Sequence, residues 1–248
     1  MKTKRFLLND NTNFKCCEDS ISVVSNLNKN TNKLYILLDS NNANINISDK
    51  YRKILEIINN WFIYISEEKL ENPEKLSQEI KFKLDAINSK IYNNGNNGNN
   101  DNLITLTMAI VLDNDTIITT IGNPRTYLLK DGNLKQISKD QTNGWILYEK
   151  GKITKEELQT NSNNELMNAL GYPEVNFQKP DIKIISNTSY DTLLLFNSRI
   201  TNILSDNKIQ IISNNTPKKD LADKIINEAA NIDSSKELAT IIFTKKQH

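Results

Sequence analysis

An α+β architecture with antiparallel sheets is what the apolar patterning of this chain predicts. Short apolar runs separated by turn dipeptides read as hairpin-linked strands. Two successive helical stripes lie between residues 48 and 91, and a meander of four further strands lies between residues 104 and 137.

The first runs, 21–24 and 34–38, are short and apolar with an Asn/Lys-rich turn between them, so they predict two antiparallel strands, with Asp39 at the end of the second. From Ser48, apolar residues recur at Tyr51, Ile54, Leu55, Ile58, Phe62 and Ile65, one face of an amphipathic helix. Asn72 followed by Pro73 is a cap with proline at the first helical position. Leu76, Ile80, Leu84, Ile87 and Ile91 continue that helix to an Asn/Gly tract at 93–102, whose polar composition predicts a flexible loop. Strands follow at 104–112, 116–121, 126–130 and 134–137, joined by Asn-Asp, Asn-Pro and Asp131-Gly132 turn chemistry. Thr154 and Glu157 have the spacing of a capping box for a short helix; the rest of 144–171 reads as an irregular, flap-like segment. Strands return at 182–185 and 192–196. Thr216-Pro217 starts a last helix with Leu221, Ile225, Ile226 and Ala229 on one side, and 238–244 closes as a strand.

At 248 residues the chain suits one domain, 1–248, able to bury a core without staples. With 31 basic against 30 acidic residues the net charge is +1, so no global field recruits nucleic acid or an anionic membrane, and neither is expected as a partner. Cys16 and Cys17 are adjacent, which offers neither a disulfide framework nor a Cys-x-x-Cys spacing and fits a reducing compartment. No apolar run approaches the roughly 20 residues of a spanning helix, and the N-terminal patch at 6–8 is not a signal sequence, so a cytoplasmic location is expected. Asp113-Asn114-Asp115 lacks the glycine and bidentate glutamate of a calcium loop and reads as a hairpin turn. Trp61 and Trp145 read as packing anchors.

The segment 116–171 carries the most specific signal. An apolar strand enters Gly122-Asn123-Pro124-Arg125, and Asp140-Gln141, Gly151-x-Ile153-Thr154-x-Glu156-Glu157 and Leu170-Gly171 follow in order. This order resembles the metal-dependent PP2C (PPM) serine/threonine phosphatases, whose corner reads Gly-Asp-Ser-Arg and whose next motif reads Thr-x-Asp-His-Ser. The resemblance extends over residues 18–244 and implies a four-layer α-β-β-α sandwich with two central, mainly antiparallel sheets. It also implies two divalent ions, Mn²⁺ or Mg²⁺, held by carboxylates to activate a water that attacks a phosphoserine or phosphothreonine.

Carried over by position, the resemblance implies a thinned site. Glu18 and Asp19 match the first acidic motif, and Phe14 stands where the family has its phosphate-gripping arginine, with Lys15 beside it. Asp39 matches the carboxylate that bridges both ions, and Ser40 would offer its backbone carbonyl. Asp39, Glu18 and Asp19 are thus the catalytic-type residues, and Glu18, Asp39, Ser40 and Glu237 the candidate metal ligands. Ser198 and Asn123 stand where the family has metal-binding aspartates, Asn44 stands for a histidine and Leu238 for an asparagine. Losing a carboxylate from such a site weakens divalent-ion binding. Arg199 replaces a family glycine: pointing inward it would compete with a metal or, with Lys15, contact a phosphate; pointing outward it would be a surface charge. The only histidine is His248, the last residue, so a histidine acid for the leaving group is not expected.

Two readings of function follow. One is a pseudophosphatase with weakened metal binding that captures a phosphoprotein, a kinase or another regulatory partner. The other is a divergent but active Mn²⁺- or Mg²⁺-dependent protein phosphatase using Glu18, Asp19, Asp39 and Glu237. A third, a structural or oligomerisation domain without a phosphate site, would require Lys15, Arg125 and Arg199 all to point away from Asp39.

Overall fold

Strand alternation around Asp39 shows how the sequence builds the architecture. In β2, Asn32–Ser40, Leu34, Ile36 and Leu38 join a core shared with helices, whereas Tyr35 and Leu37 join a different core on the opposite face. A strand with two apolar faces must be covered on both. The computed structural model describes residues 22–29, 31–40, 47–94, 103–160, 165–175, 177–233 and 238–245.

Within these residues the order is β1 Ser22–Lys29, β2, α1 Ile47–Tyr64, α2 Glu67–Leu70, α3 Pro73–Asn94, β3 Ile104–Val111, β4 Asp115–Ile121, β5 Arg125–Lys130 and β6 Asn133–Gln136. Then come α4 Asn143–Glu149, α5 Lys155–Thr160, β7 Asp181–Ser186, β8 Thr192–Phe196, α6 Ser198–Ile203, α7 Asp206–Asn215, α8 Leu221–Ile232 and β9 Thr240–Thr244. One sheet runs β1-β2-β3-β4-β7 and the other β6-β5-β8-β9; every described pairing is antiparallel. Helices α1, α2 and α3 bury Tyr51, Leu55, Phe62, Leu70 and Leu84 against the first sheet, and α6, α7 and α8 bury Ile200, Ile209 and Ile225 against the second. Between the sheets lie Tyr35, Leu37, Ile118, Leu128, Leu193, Leu195 and Ile241. The layers are therefore helix, sheet, sheet, helix, as expected.

Several local signals act as the sequence indicated. Asn72 Oδ1 accepts from Lys75 N at 3.0 Å and caps α3. Thr154 and Glu157 form the reciprocal capping box, at 2.7 and 3.1 Å. Asp131 and Gly132 both have positive φ, 48° and 79°, which the two-residue hairpin between β5 and β6 requires.

Other elements differ from the sequence expectation. Strand β1 continues through Ser25, Asn26 and Asn28, because an edge strand tolerates polar residues that a central one does not. The segment 144–171 is not simply irregular: α4 starts where Thr142 Oγ1 accepts from Trp145 N at 3.3 Å, a cap masked in the sequence by Gly144 in the first turn. Helices α6 and α7 were not foreseen; they are capped by Asn197 and Ser205. A 3-10 turn, Lys218–Asp220, precedes α8. Of the tract 93–102, residues 93 and 94 end α3, and 95–102 lie outside the described residues.

Candidate active-site region

The space between the sheets changes character along its length. At one end it is filled by Tyr35, Val111 and Tyr190. Toward the other, the inward positions become Thr107, whose hydroxyl meets Thr126 Oγ1 of the facing sheet at 2.8 Å, and Thr105, whose hydroxyl donates to the Asp39 carbonyl at 3.3 Å. Asp39 pairs with Thr105 across the sheet, and its place in the β2 alternation turns its side chain inward with Tyr35 and Leu37. An anionic group thus stands at the polar end of the inter-sheet layer, with only 2% of its side chain exposed.

The facing sheet supplies its counter-ion. Strand β8 ends at Phe196, and Asn197 turns the chain into α6; Asn197 Oδ1 accepts from Ile200 N at 3.4 Å and from Ala239 N at 3.3 Å, fixing α6 against the start of β9. Ser198 and Arg199 then occupy the first turn of α6. The Arg199 guanidinium donates through Nη1 to Asp39 Oδ1 and through Nη2 to the Ser40 carbonyl, the latter at 2.6 Å. Its side chain is 13% exposed. One fixed cation therefore holds both the carboxylate and the carbonyl that the sequence assigned as metal ligands. Arg199 points inward, so the purely structural reading that needed it outside loses its condition.

The corner after β4 lies beside this pair. Because Leu106 faces Ile121, the next row across the sheet brings Asp39, Thr105 and Gly122 together. Gly122 has φ of 91°, and a Cβ there would lie 2.5 Å from Thr105 Cγ2, so only glycine fits. Gln141, at the family's histidine position, secures the corner: Gly122 N donates to its Oε1 at 2.8 Å and Gln141 N donates to the Gly122 carbonyl at 2.8 Å. The same Oε1 accepts from Asn168 Nδ2 at 2.9 Å. Asn88 Oδ1 accepts from Gly171 N at 2.7 Å, while Ile104 and Leu170 exchange backbone hydrogen bonds. Buried Asn88 and Asn168 and half-buried Gln141 therefore tie residues 165–171 to α3 and to the corner. Sequence reasoning missed these amides, since abundant asparagine hid the few that are structural.

Arg125 points elsewhere. As a neighbour of Tyr127 two residues on, it lies on the helix-facing side of the second sheet, where it forks onto Asp140 at 2.7 to 3.0 Å. Burial opposes its charge, but the adjoining Asp140 and Tyr127 outweigh this, and the guanidinium stays protonated. Tyr127 donates to Asp206 of α7 at 2.8 Å, and burial pushes its phenol above the usual range. This buried network holds β5, the loop after β6 and α7 together and is no part of the Asp39 region.

Of the predicted site residues, Asp39, Ser40 and Arg199 are brought into contact, Ser198 precedes Arg199 at the start of α6, and Asn123 follows Gly122 at the corner with its Oδ1 buried and without a hydrogen-bond partner among the described residues. Lys15, Glu18, Asp19, Asn44 and Glu237 lie outside the described residues. Among the described residues no group of three or more His, Cys, Asp or Glu is placed to hold a metal ion. Asp39 is the one described carboxylate there, and its carboxylate and the Ser40 carbonyl already face a guanidinium. The described residues do not fit a two-ion centre while Arg199 stands where it does. Trp61 is an anchor as expected, its Nε1 donating to Glu79 at 2.8 Å, and the turn at Asp113 is a hairpin, closed by Leu112 N donating to the Asp115 carbonyl at 2.8 Å. No described helix is long and apolar enough to cross a membrane.

No family model matches the chain. Among curated proteins it is similar to the serine/threonine phosphatase stp of Listeria welshimeri, 26% identical over 160 residues, a match covering 63% of each chain. The chain thus spans somewhat less than two thirds of that relative's length. Among solved structures it superposes on the serine/threonine phosphatase Stp1 of Staphylococcus aureus with a TM-score of 0.77 at 20% identity, over 96% of this chain and 93% of that one. It also superposes on the catalytic domain of the phosphatase PstP in complex with two manganese ions, with a TM-score of 0.68 at 21% identity, over 97% and 94% of the two chains.

Proposed function

We propose that this chain, which has the fold of the bacterial PP2C-type serine/threonine phosphatases and resembles them in sequence, is a pseudophosphatase that binds a phosphoprotein or a regulatory protein partner such as a kinase. The observation that carries the reading is the Arg199 guanidinium held between the Asp39 carboxylate and the Ser40 carbonyl. A divalent ion at such ligands would lower the pKa of a bound water and turn it into a nucleophile. A guanidinium neutralises the same carboxylate but has no coordination site to offer a water. Among the described residues the Asp39 charge is matched without Lewis acidity. Ser198 and Asn123, neutral where the family has aspartates, point the same way, and the one histidine, His248, ends the chain.

Recognition of a phosphorylated partner would use what remains of Arg199. Its fork has N–H groups beyond those given to Asp39 and Ser40, but its charge is already largely matched, so a phosphate adds modestly to an affinity set by the flanking peptide. The setting is the cytoplasm, where such phosphoproteins occur. Equilibrium binding of phosphothreonine peptides and their unphosphorylated twins tests this. A saturable preference for the phosphorylated form, below about tenfold and abolished in Arg199→Ala, is the expected result. Equal affinity for both forms throughout a varied peptide set would remove phosphate recognition from the proposal.

The active-enzyme reading keeps one favourable observation: Asp39 is retained and buried on a fold that carries two manganese ions in PstP. It requires Arg199 to leave Asp39, and Mn²⁺-dependent turnover would establish it.

A further inference from the structure

At the far end of β8 from Ser198, roughly 17 Å away along the strand, lies a cavity of about 880 Å³. It is walled by the β5–β6 turn, the residues before β8, the end of β9 and the connection from α7 to α8. Three lysines line it. Lys130 is matched by Asp191 at 3.0 Å, and exposed Asp131 adds a second negative charge at the rim. Lys218 and Lys245 have no described carboxylate within ion-pairing distance. Neutral acceptors hold them instead: Lys218 Nζ donates to the Ser213 carbonyl at 3.1 Å, and Lys245 Nζ donates to the Tyr190 carbonyl at 2.7 Å while lying 3.8 Å from the centre of the Tyr190 ring. Burial lowers the pKa of both ammonium groups; for Lys245 the nearby Lys130 adds to the effect, and for both the Asp191 carboxylate opposes it in part.

Ser213, on the same wall, is 1% exposed, and its hydroxyl has no hydrogen-bond partner among the described residues. Leaving a buried hydroxyl unpaired costs about 1–3 kcal/mol, so such groups ordinarily find a partner. Two oriented, partly desolvated cations beside an unused buried hydroxyl match an anion with at least two charges and several acceptor oxygens. The cavity is far larger than one phosphate and falls within the roughly 300–1,000 Å³ of small-molecule sites.

We propose that this cavity binds a small diphosphate-bearing anion, gripped by Lys218 and Lys245 with the Ser213 hydroxyl as a further donor. The site uses none of the residues around Asp39, so it stands or falls separately from the pseudophosphatase reading.

Calorimetric titration of the full chain with inorganic pyrophosphate and with ADP, at about 150 mM salt to screen diffuse attraction, tests it. Saturable binding of one ion is expected, weakened about tenfold or more by Lys218→Gln and by Lys245→Gln and about threefold by Ser213→Ala. Tighter binding of ADP would identify a nucleoside diphosphate as the ligand, and equal binding a free diphosphate. Amide shifts of Lys218, Ser213 and Lys245 in the NMR spectrum of the unmutated chain locate the site without any variant. Absence of saturable binding by both probes, or shifts confined to other residues, would overturn the proposal.

Discussion

Removing Arg199 is the perturbation whose outcome follows most directly from the geometry. In Arg199→Ala the Asp39 carboxylate, 2% exposed, keeps its buried position but loses the guanidinium. Breaking a buried ion pair by deleting one partner costs about 3–5 kcal/mol, because the remaining buried charge loses its counter-ion. Arg199 is itself 13% exposed, so water reaches the vacated space and the lower end, about 3 kcal/mol, applies. For a chain of this size each kcal/mol moves the Tm by about 2–4 °C, so thermal unfolding should show a drop of about 6–12 °C. The double variant Arg199→Ala/Asp39→Ala should recover most of that loss, giving a coupling energy of about 2–3 kcal/mol in the cycle. Mn²⁺ gives the account its sharper edge. The unmutated chain, with its cation built in, should gain almost nothing from millimolar Mn²⁺, whereas Arg199→Ala should regain stability; an ion at about 100 times its Kd contributes about 2.7 kcal/mol. If the unmutated protein is stabilised by Mn²⁺ as strongly as the variant, or if Arg199→Ala melts where the parent does, the guanidinium does not hold the place assigned to it.

Three further outcomes are expected. Gly122→Ala combines a φ of 91° with a contact of 2.5 Å to Thr105 Cγ2 and should cost about 2–4 kcal/mol in urea unfolding, with Thr105→Ser in the same chain relieving only part of it. Arg125→Lys keeps the charge but loses the fork onto Asp140, so it should destabilise by about 2–3 kcal/mol while leaving peptide affinity unchanged, which separates this network from the Asp39 region. Gln141→His restores the residue type of the family but removes the amide that holds Gly122 N and Asn168; it should lower stability by about 1–2 kcal/mol and confer no hydrolysis.

What could be read from the sequence, and what could not, divides along physical lines. Local signals were sufficient where the determinant is local. Asn72-Pro73, the Thr154/Glu157 box and Asp131-Gly132 each specify backbone geometry within a few residues, and each does so in the folded chain. The two sheets and their helical layers followed from apolar periodicity together with the resemblance. Helices α6 and α7 escaped because they are short, although Asn197 and the pair Ser205-Asp206 are caps that could have marked them. The direction of Arg199 could not be read at all. It depends on β8 and β2, 160 residues apart, ending at the same place on facing sheets. Gln141, seen in sequence only as a lost histidine, proves to be a clamp between the corner and residues 165–171, a role set by partners distant in the chain. Pocket chemistry at Lys218 and Lys245 was equally invisible, since two lysines in a lysine-rich chain carry no signal until the fold brings them to one wall.

Hydrolysis of a phosphothreonine peptide over a Mn²⁺ titration, with Asp39→Ala purified in parallel, tests the central claim most directly. The account predicts the same residual background for both proteins at every Mn²⁺ concentration. Mn²⁺-dependent turnover by the unmutated chain that disappears in Asp39→Ala would contradict it and make this an active phosphatase whose arginine gives way to metal.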